Sequence, residues 1–165
     1  MLKSLLILFV AVASTPVFGA DLATVRVETT NLQGPRVLEE QTSKAVIRDY
    51  LQAWQTLGTA LQQNRTDLLG SSFVGNAKDK LTETIQQQVS LGLSTRYQDR
   101  SHDLKIVFYS PEGLSIELQD TVEYDVQVLD HDKVQATKRV SAHYIVVMTP
   151  AEVRWRVRVF QTELE

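Results

Sequence analysis

The chain has 165 residues, with 17 Lys+Arg against 20 Asp+Glu, a formal net charge of −3 and 43% hydrophobic residues. That near-balance excludes a nucleic-acid binder held mainly by charge, which needs a basic excess, and the composition excludes the polar, highly charged regime of disorder. Without cysteine there is no disulfide, thiolate nucleophile, cysteine-ligated zinc or iron–sulfur centre, and the length is that of one domain with its own core.

Residues 1–19 read as a secretory leader. Lys3 supplies the positive start, residues 5–13 form an unbroken apolar run, and Val17-Phe18-Gly19 sets a cleavage site before Ala20. The run is well short of the roughly 20 residues of a bilayer span. The expectation is an exported protein, periplasmic or extracellular and bacterial, with no stable membrane span after cleavage. Residues 20–41 form a lead-in, where Thr24-Val25-Arg26-Val27-Glu28 alternates like a short edge strand and residues 31–35 read as a turn. A single domain is expected over residues 42–165.

Thr42 or Ser43 is placed to cap a first helix whose apolar stripe is Val46, Ile47, Tyr50, Leu51, Trp54, Leu57 and Leu61. Trp54 lies mid-stripe, so it is expected to anchor the helix on a sheet. Asn64-Arg65-Thr66, a glycosylation sequon, falls in the break after that helix. A second helix follows from about Ala77, with Ala77, Leu81, Ile85, Val89 and Gly92 on one face and Gln86, Gln87 and Gln88 in solvent.

From Leu104 the period changes to two. Leu104, Ile106 and Phe108 face inward, then Leu114, Ile116, Leu118, Val122, Tyr124, Val126 and Val128, then Val134, Ala136, Val140, Ala142, Tyr144, Val146 and Met148. In the last strand Val153, Trp155, Val157 and Val159 face one way and Arg154, Arg156 and Arg158 the other. Turns at His131 and Pro150 place Glu123 opposite Arg139, Tyr124 opposite Lys138 and Val146 opposite Trp155, which gathers the apolar sets on one face. The expected architecture is α+β: two to three N-terminal helices on a curved four-stranded antiparallel meander.

The helix segment Tyr50-Leu51-Gln52-Ala53-Trp54, followed by long strands closing in Val153-Arg154-Trp155-Arg156-Val157, resembles the nuclear transport factor 2-like superfamily. The layout is similar to its domain type in plastid-division and some bacterial envelope proteins. The resemblance implies a cone whose concave sheet and helices enclose a pocket, and a range of roles from SnoaL-like cyclases, dehydratases and isomerases to binding domains without catalysis.

Asp120 is a carboxylate on the apolar parity, between Leu118 and Val122. Desolvated there, it is the candidate general base, with Tyr144 as the hydrogen-bond donor to a developing oxyanion. Tyr124, Lys138 and Trp54 are candidate pocket residues, Lys138 interrupting the inward row with a stem that packs on Tyr124. Arg154, Arg156 and Arg158, with Ile145 and Val147 beside them, form a candidate partner surface on the outer sheet face, suited to a homodimer. His102 precedes a strand, His131 lies in a turn and His143 points outward. That scatter has no metal-ligand spacing, and no cofactor fingerprint is present. The leading expectation is a non-catalytic exported domain that binds a protein partner or a small apolar ligand. The alternatives are a small-molecule isomerase, dehydratase or cyclase, and a self-associating structural envelope module.

Overall fold

A computed structural model of the chain describes residues 22–28, 32 and 35–163. The leader, its cleavage site and most of the expected 31–35 turn lie outside the described residues. The element order is β1 (Thr24–Val27), α1 (Glu40–Gln63), a 3-10 helix (Thr66–Ser71), α2 (Gly75–Ser90), β2 (Leu93–Tyr109), β3 (Ile116–Asp130), β4 (Lys133–Pro150) and β5 (Trp155–Thr162). The strands lie in sequence order in one sheet. β1 runs parallel to β2, so the sheet has five strands where four were expected; β2 to β5 form the antiparallel meander.

The first helix starts at Glu40 and is entered without a side-chain cap, so neither Thr42 nor Ser43 serves as one. Its stripe behaves as the periodicity predicts: Val46, Tyr50, Trp54, Leu57 and Leu61 are buried. Asp49, on the same side of the helix, is also buried and accepts the backbone N–H of Trp155 at 2.8 Å, tying α1 to the start of β5. The helix closes at Asn64 in the left-handed conformation, φ 55°. The Asn64 amide then donates to the Leu93 carbonyl at 2.9 Å. The sequon nitrogen is therefore already committed to holding α1 against the start of β2. In α2, Ala77 and Ile85 are buried, but Val89 is 52% exposed and Gln88 takes the inward place. Gln88 donates to the Leu61 carbonyl at 2.6 Å and accepts from Thr95 at 2.9 Å, so its amide is satisfied rather than solvated. Gly92, at φ 69°, makes the left-handed step from α2 into β2.

Four strand irregularities account for the departures from simple alternation. In β2, Arg100 and Val107 are extra residues. The second of these turns Phe108 outward, 45% exposed, and brings Tyr109 in, 8% exposed. The β3–β4 turn is a two-residue one, with His131 at φ 46° and Asp132 at φ 64°, and Gln135 is an extra residue just after it. Together these move the register by two residues from the expected one: Asp125 faces Arg139, Val126 faces Lys138 and Tyr124 faces Val140. Parity survives beyond the bulge, so Val140, Ala142, Tyr144, Val146 and Met148 stay inward, whereas Val134, expected inward, pairs with Leu129 and is turned to the opposite face. The β4–β5 loop is wider than expected, closed by the Ala151 N–H bonding to the Arg154 carbonyl at 2.8 Å. Val146 accordingly faces Phe160, not Trp155. The bulge at Arg158 sends Val159 outward opposite Val147 and Phe160 inward. Val153, outside the strand, is 81% exposed.

Candidate functional site

The inner face carries a buried polar chain. Asp120, 1% exposed, stands on β3 directly between Leu104 on β2 and Tyr144 on β4. Its Oδ2 accepts the Tyr50 hydroxyl at 2.8 Å and lies 2.7 Å from His102 Nδ1. Tyr50 in turn accepts the Trp54 indole N–H at 2.7 Å. On the far side, His102 Nε2 lies 3.8 Å from Asp99 Oδ2. The order is Trp54, Tyr50, Asp120, His102, Asp99.

Charge sets the protonation of this chain. Burial opposes a charged imidazole at His102, but the hydrogen bonds and negative charges of Asp120 and Asp99 outweigh it and hold its pKa up at about 9. Burial, then the Asp120 charge, pushes the Tyr50 phenol well above its ordinary range, so it stays a donor. Tyr144 is also raised, by burial and then by its contact with the Tyr124 hydroxyl at 3.4 Å. As a phenol it can donate to a ligand acceptor but does not act as a base near neutral pH. Burial pushes Tyr97 up to about 12.

Next to this chain is a cavity of about 290 Å³ between α1, α2 and the sheet. Leu57, Leu61, Ala77, Leu81, Tyr97 and Phe160 supply its apolar wall, Tyr144 contributes a polar group, and Lys80, Thr84 and Thr162 also line it. Of the residues expected at the site, Tyr144 lines this cavity, whereas Asp120, Trp54, Tyr124 and Lys138 do not. Trp54 is 3% exposed and packs its ring on His102 and Tyr144, each at 5.4 Å, and on Phe160 at 5.5 Å. Tyr124 is behind the wall, 7% exposed. Lys138 is exposed beyond it, because the register shift sets it against Val126 rather than Tyr124.

The outer-face residues are only partly brought together. Ile145 and Val147 point outward, joined there by Val159 and Phe108. The arginine stripe is broken: Arg154 precedes β5, Arg156 faces Thr149, and Arg158 is the bulge residue beside Gly75. His143 is outward as expected, with Nδ1 2.9 Å from the Thr121 hydroxyl. Among the described residues no group of three or more His, Asp and Glu side chains is placed to hold a metal ion.

Of the buried polar chain, Asp120 and Trp54 stand out in the sequence as candidates, whereas Tyr50, His102 and Asp99 do not. Tyr50 reads as one more stripe aromatic, and His102 falls in a polar stretch that hides the first half of β2. The signal present was parity: counted back from Leu104, His102 falls on the inward side. Asp99 could not be counted in, because three residues along a regular strand reverse the face, and only the extra residue Arg100 turns both inward.

No protein-family model matches the chain, and no curated protein matches it. Solved structures do. The intermembrane-space region of the chloroplast protein ARC6 superposes with a TM-score of 0.62 at 14% identity, covering 79% of this chain and all of that one (100%). A putative scytalone dehydratase from Novosphingobium aromaticivorans gives 0.52 at 13% identity, covering 76% and 89%. Aln2 from Streptomyces gives 0.51 at 9% identity, covering 78% and 93%. The fold is nuclear transport factor 2-like. At these identities the likeness concerns the fold alone, and these neighbours include both a putative dehydratase and an intermembrane-space region.

Proposed function

We propose that this is an exported, non-catalytic domain that binds a small apolar ligand in the cavity between α1, α2 and the sheet. The observation that carries the reading is the separation of that cavity from the buried acid–histidine chain. The wall is leucine and aromatic, with Tyr144 offering a hydroxyl, while Asp120 and His102 are 1% and 2% exposed. Its volume is near the lower end of the roughly 300–1,000 Å³ of small-molecule sites. The test is 2-naphthol, an apolar body with one hydroxyl, titrated while the methyl resonances of Leu57, Leu61 and Leu81 are followed. Saturable shifts are expected, and Leu81→Trp, which fills the half-buried side of the cavity, should weaken binding at least tenfold with the fold retained. Absence of saturation, or indifference to Leu81→Trp, rejects the ligand site.

Export rests on the leader pattern at residues 1–19. No described helix is long and apolar enough to cross a membrane, and one structural neighbour is itself an intermembrane-space region. Material recovered from the exported fraction is expected to begin at Ala20. Recovery of a chain still beginning at Met1 would count against it.

A second reading, a small-molecule isomerase, dehydratase or cyclase, is favoured by the cross-strand pairing of Asp120 with Tyr144 and by the His102 contact. It ranks lower because a substrate in the cavity would meet Tyr144 and not Asp120. A third, self-association through the outer face, draws on the row of Phe108, Val147 and Val159.

A further inference from the structure

We infer that the free edge of β4, residues 133–142, is a docking strand for an extended acidic segment of a partner protein. Elsewhere the far side of β1 is open over four residues only, among the described residues, and the margins of β2 and β5 are partly covered. β1 pairs with β2, and the outer side of β5 receives Phe73 through a bridge to Val157. The pairing of β5 with β4 spans only Tyr144 to Pro150 on the β4 side. It is prolonged by one bond, from the Glu163 N–H to the His143 carbonyl, 2.8 Å. Among the described residues, no strand lies beyond that point against residues 133–142 of β4.

The antiparallel alternation determines what this edge offers. With the His143 carbonyl turned toward β5, the backbone N–H and C=O groups of Ser141, Arg139 and Thr137 turn to the same side. All three residues are exposed. On the concave side, Val140 and Ala142 are half-buried against the core. An added strand would gain ladder bonds along the edge and an apolar row for alternate side chains.

Charge selects the occupant. Residues 133–142 contain Lys133, Lys138 and Arg139 and no Asp or Glu, in a chain whose formal net charge is −3. Arg139 is tied to Asp125 at 2.9 Å, whereas Lys133 and Lys138 make no ion pair among the described residues. Lysines on an open edge resist pairing of two like strands, so a second copy of this chain is disfavoured there and a segment bearing carboxylates is favoured.

The experiment uses an acetylated, amidated (Val-Glu)5 peptide as the probe and a (Val-Lys)5 peptide as its control. Hydrogen exchange on the intact protein should slow at least tenfold at the Thr137, Arg139 and Ser141 amides when (Val-Glu)5 saturates. Lys133→Glu combined with Lys138→Glu should weaken binding at least tenfold, with the thermal midpoint unchanged. Thr137→Pro, which deletes one edge N–H where proline is tolerated, should also weaken it at least tenfold. If that variant does not fold, the charge-reversed variant decides. Equal binding of (Val-Lys)5, protection only at other amides, pairing of two copies through this edge, or no binding at all would each overturn the proposal.

Discussion

Asp120→Ala is expected to destabilise the protein by about 3–5 kcal/mol in denaturant unfolding, because it removes one partner of a buried, charged hydrogen-bonded pair. Both the Tyr50 hydroxyl and His102 Nδ1 converge on the one oxygen that disappears. Each would be left without that acceptor in a region closed to water. The same pair makes stability depend on pH, with a definite sign. His102 has a folded pKa of about 9, above the roughly 6.5 of an unfolded histidine. The stabilisation is therefore fully present below about pH 6.5 and is lost as pH rises through about 9. Its size is about 3 kcal/mol. Asp120→Asn keeps an oxygen for Tyr50 but removes the charge, so the alkaline loss should flatten. An unfolding free energy that is constant from pH 6 to pH 10 in the parent protein would show that His102 is neutral, and the charged chain would have to be abandoned. A loss below about 1 kcal/mol in Asp120→Ala would have the same consequence for the buried pair.

The expected role of Asp120 changes accordingly. On the sequence it is a carboxylate on an apolar parity, the candidate general base. In the fold it joins α1 to β2 and β3: Tyr50 comes from α1, His102 from β2 and Asp120 from β3. Periodicity made the two helices and the inner rows of β3 and β4 legible, since Val46, Tyr50, Trp54 and Leu57, or Leu118, Val122 and Val146, differ sharply from their neighbours in hydropathy. The hidden half of β2, residues 93–103, lacks that contrast: its inward members include Thr95, Tyr97, Asp99 and His102. A polar row on an inner face reads locally as a loop, and only its ladder with β3 makes it a strand. The bulges at Arg100, Val107, Gln135 and Arg158 were likewise invisible, because an extra residue leaves no mark on composition. They decide which side Phe108 and Val159 take, and they determine that Asp99 and His102 meet.

Trp54→Ala is expected to cost about 3–5 kcal/mol, the range for deleting a buried aromatic from a packed core. Its indole is 3% exposed and meets the rings of Tyr97, His102, Tyr124, Tyr144 and Phe160, with centroids 5.4–6.4 Å away. These neighbours come from β2, β3, β4 and β5, so one α1 side chain reaches every strand of the antiparallel meander. The deletion also takes the N–H that Tyr50 accepts, loosening the donor to Asp120. Trp54→Phe separates the two effects: it keeps much of the ring packing and loses only the hydrogen bond, which is worth about 1 kcal/mol. The alanine variant further predicts a change in binding. The vacated ring space adjoins Tyr144 and Phe160, both of which line the existing cavity. Apolar solutes too large for about 290 Å³ should therefore enter the variant and be excluded from the parent, as an apolar engineered cavity admits small hydrocarbons. Methyl shifts at Leu57 and Leu61 during titration with a three-ring hydrocarbon report this. If the parent takes up that solute as readily as the variant, Trp54 does not limit the cavity. The wall between binding space and buried acid would then be open, and the isomerase-like reading would move ahead of the binding one.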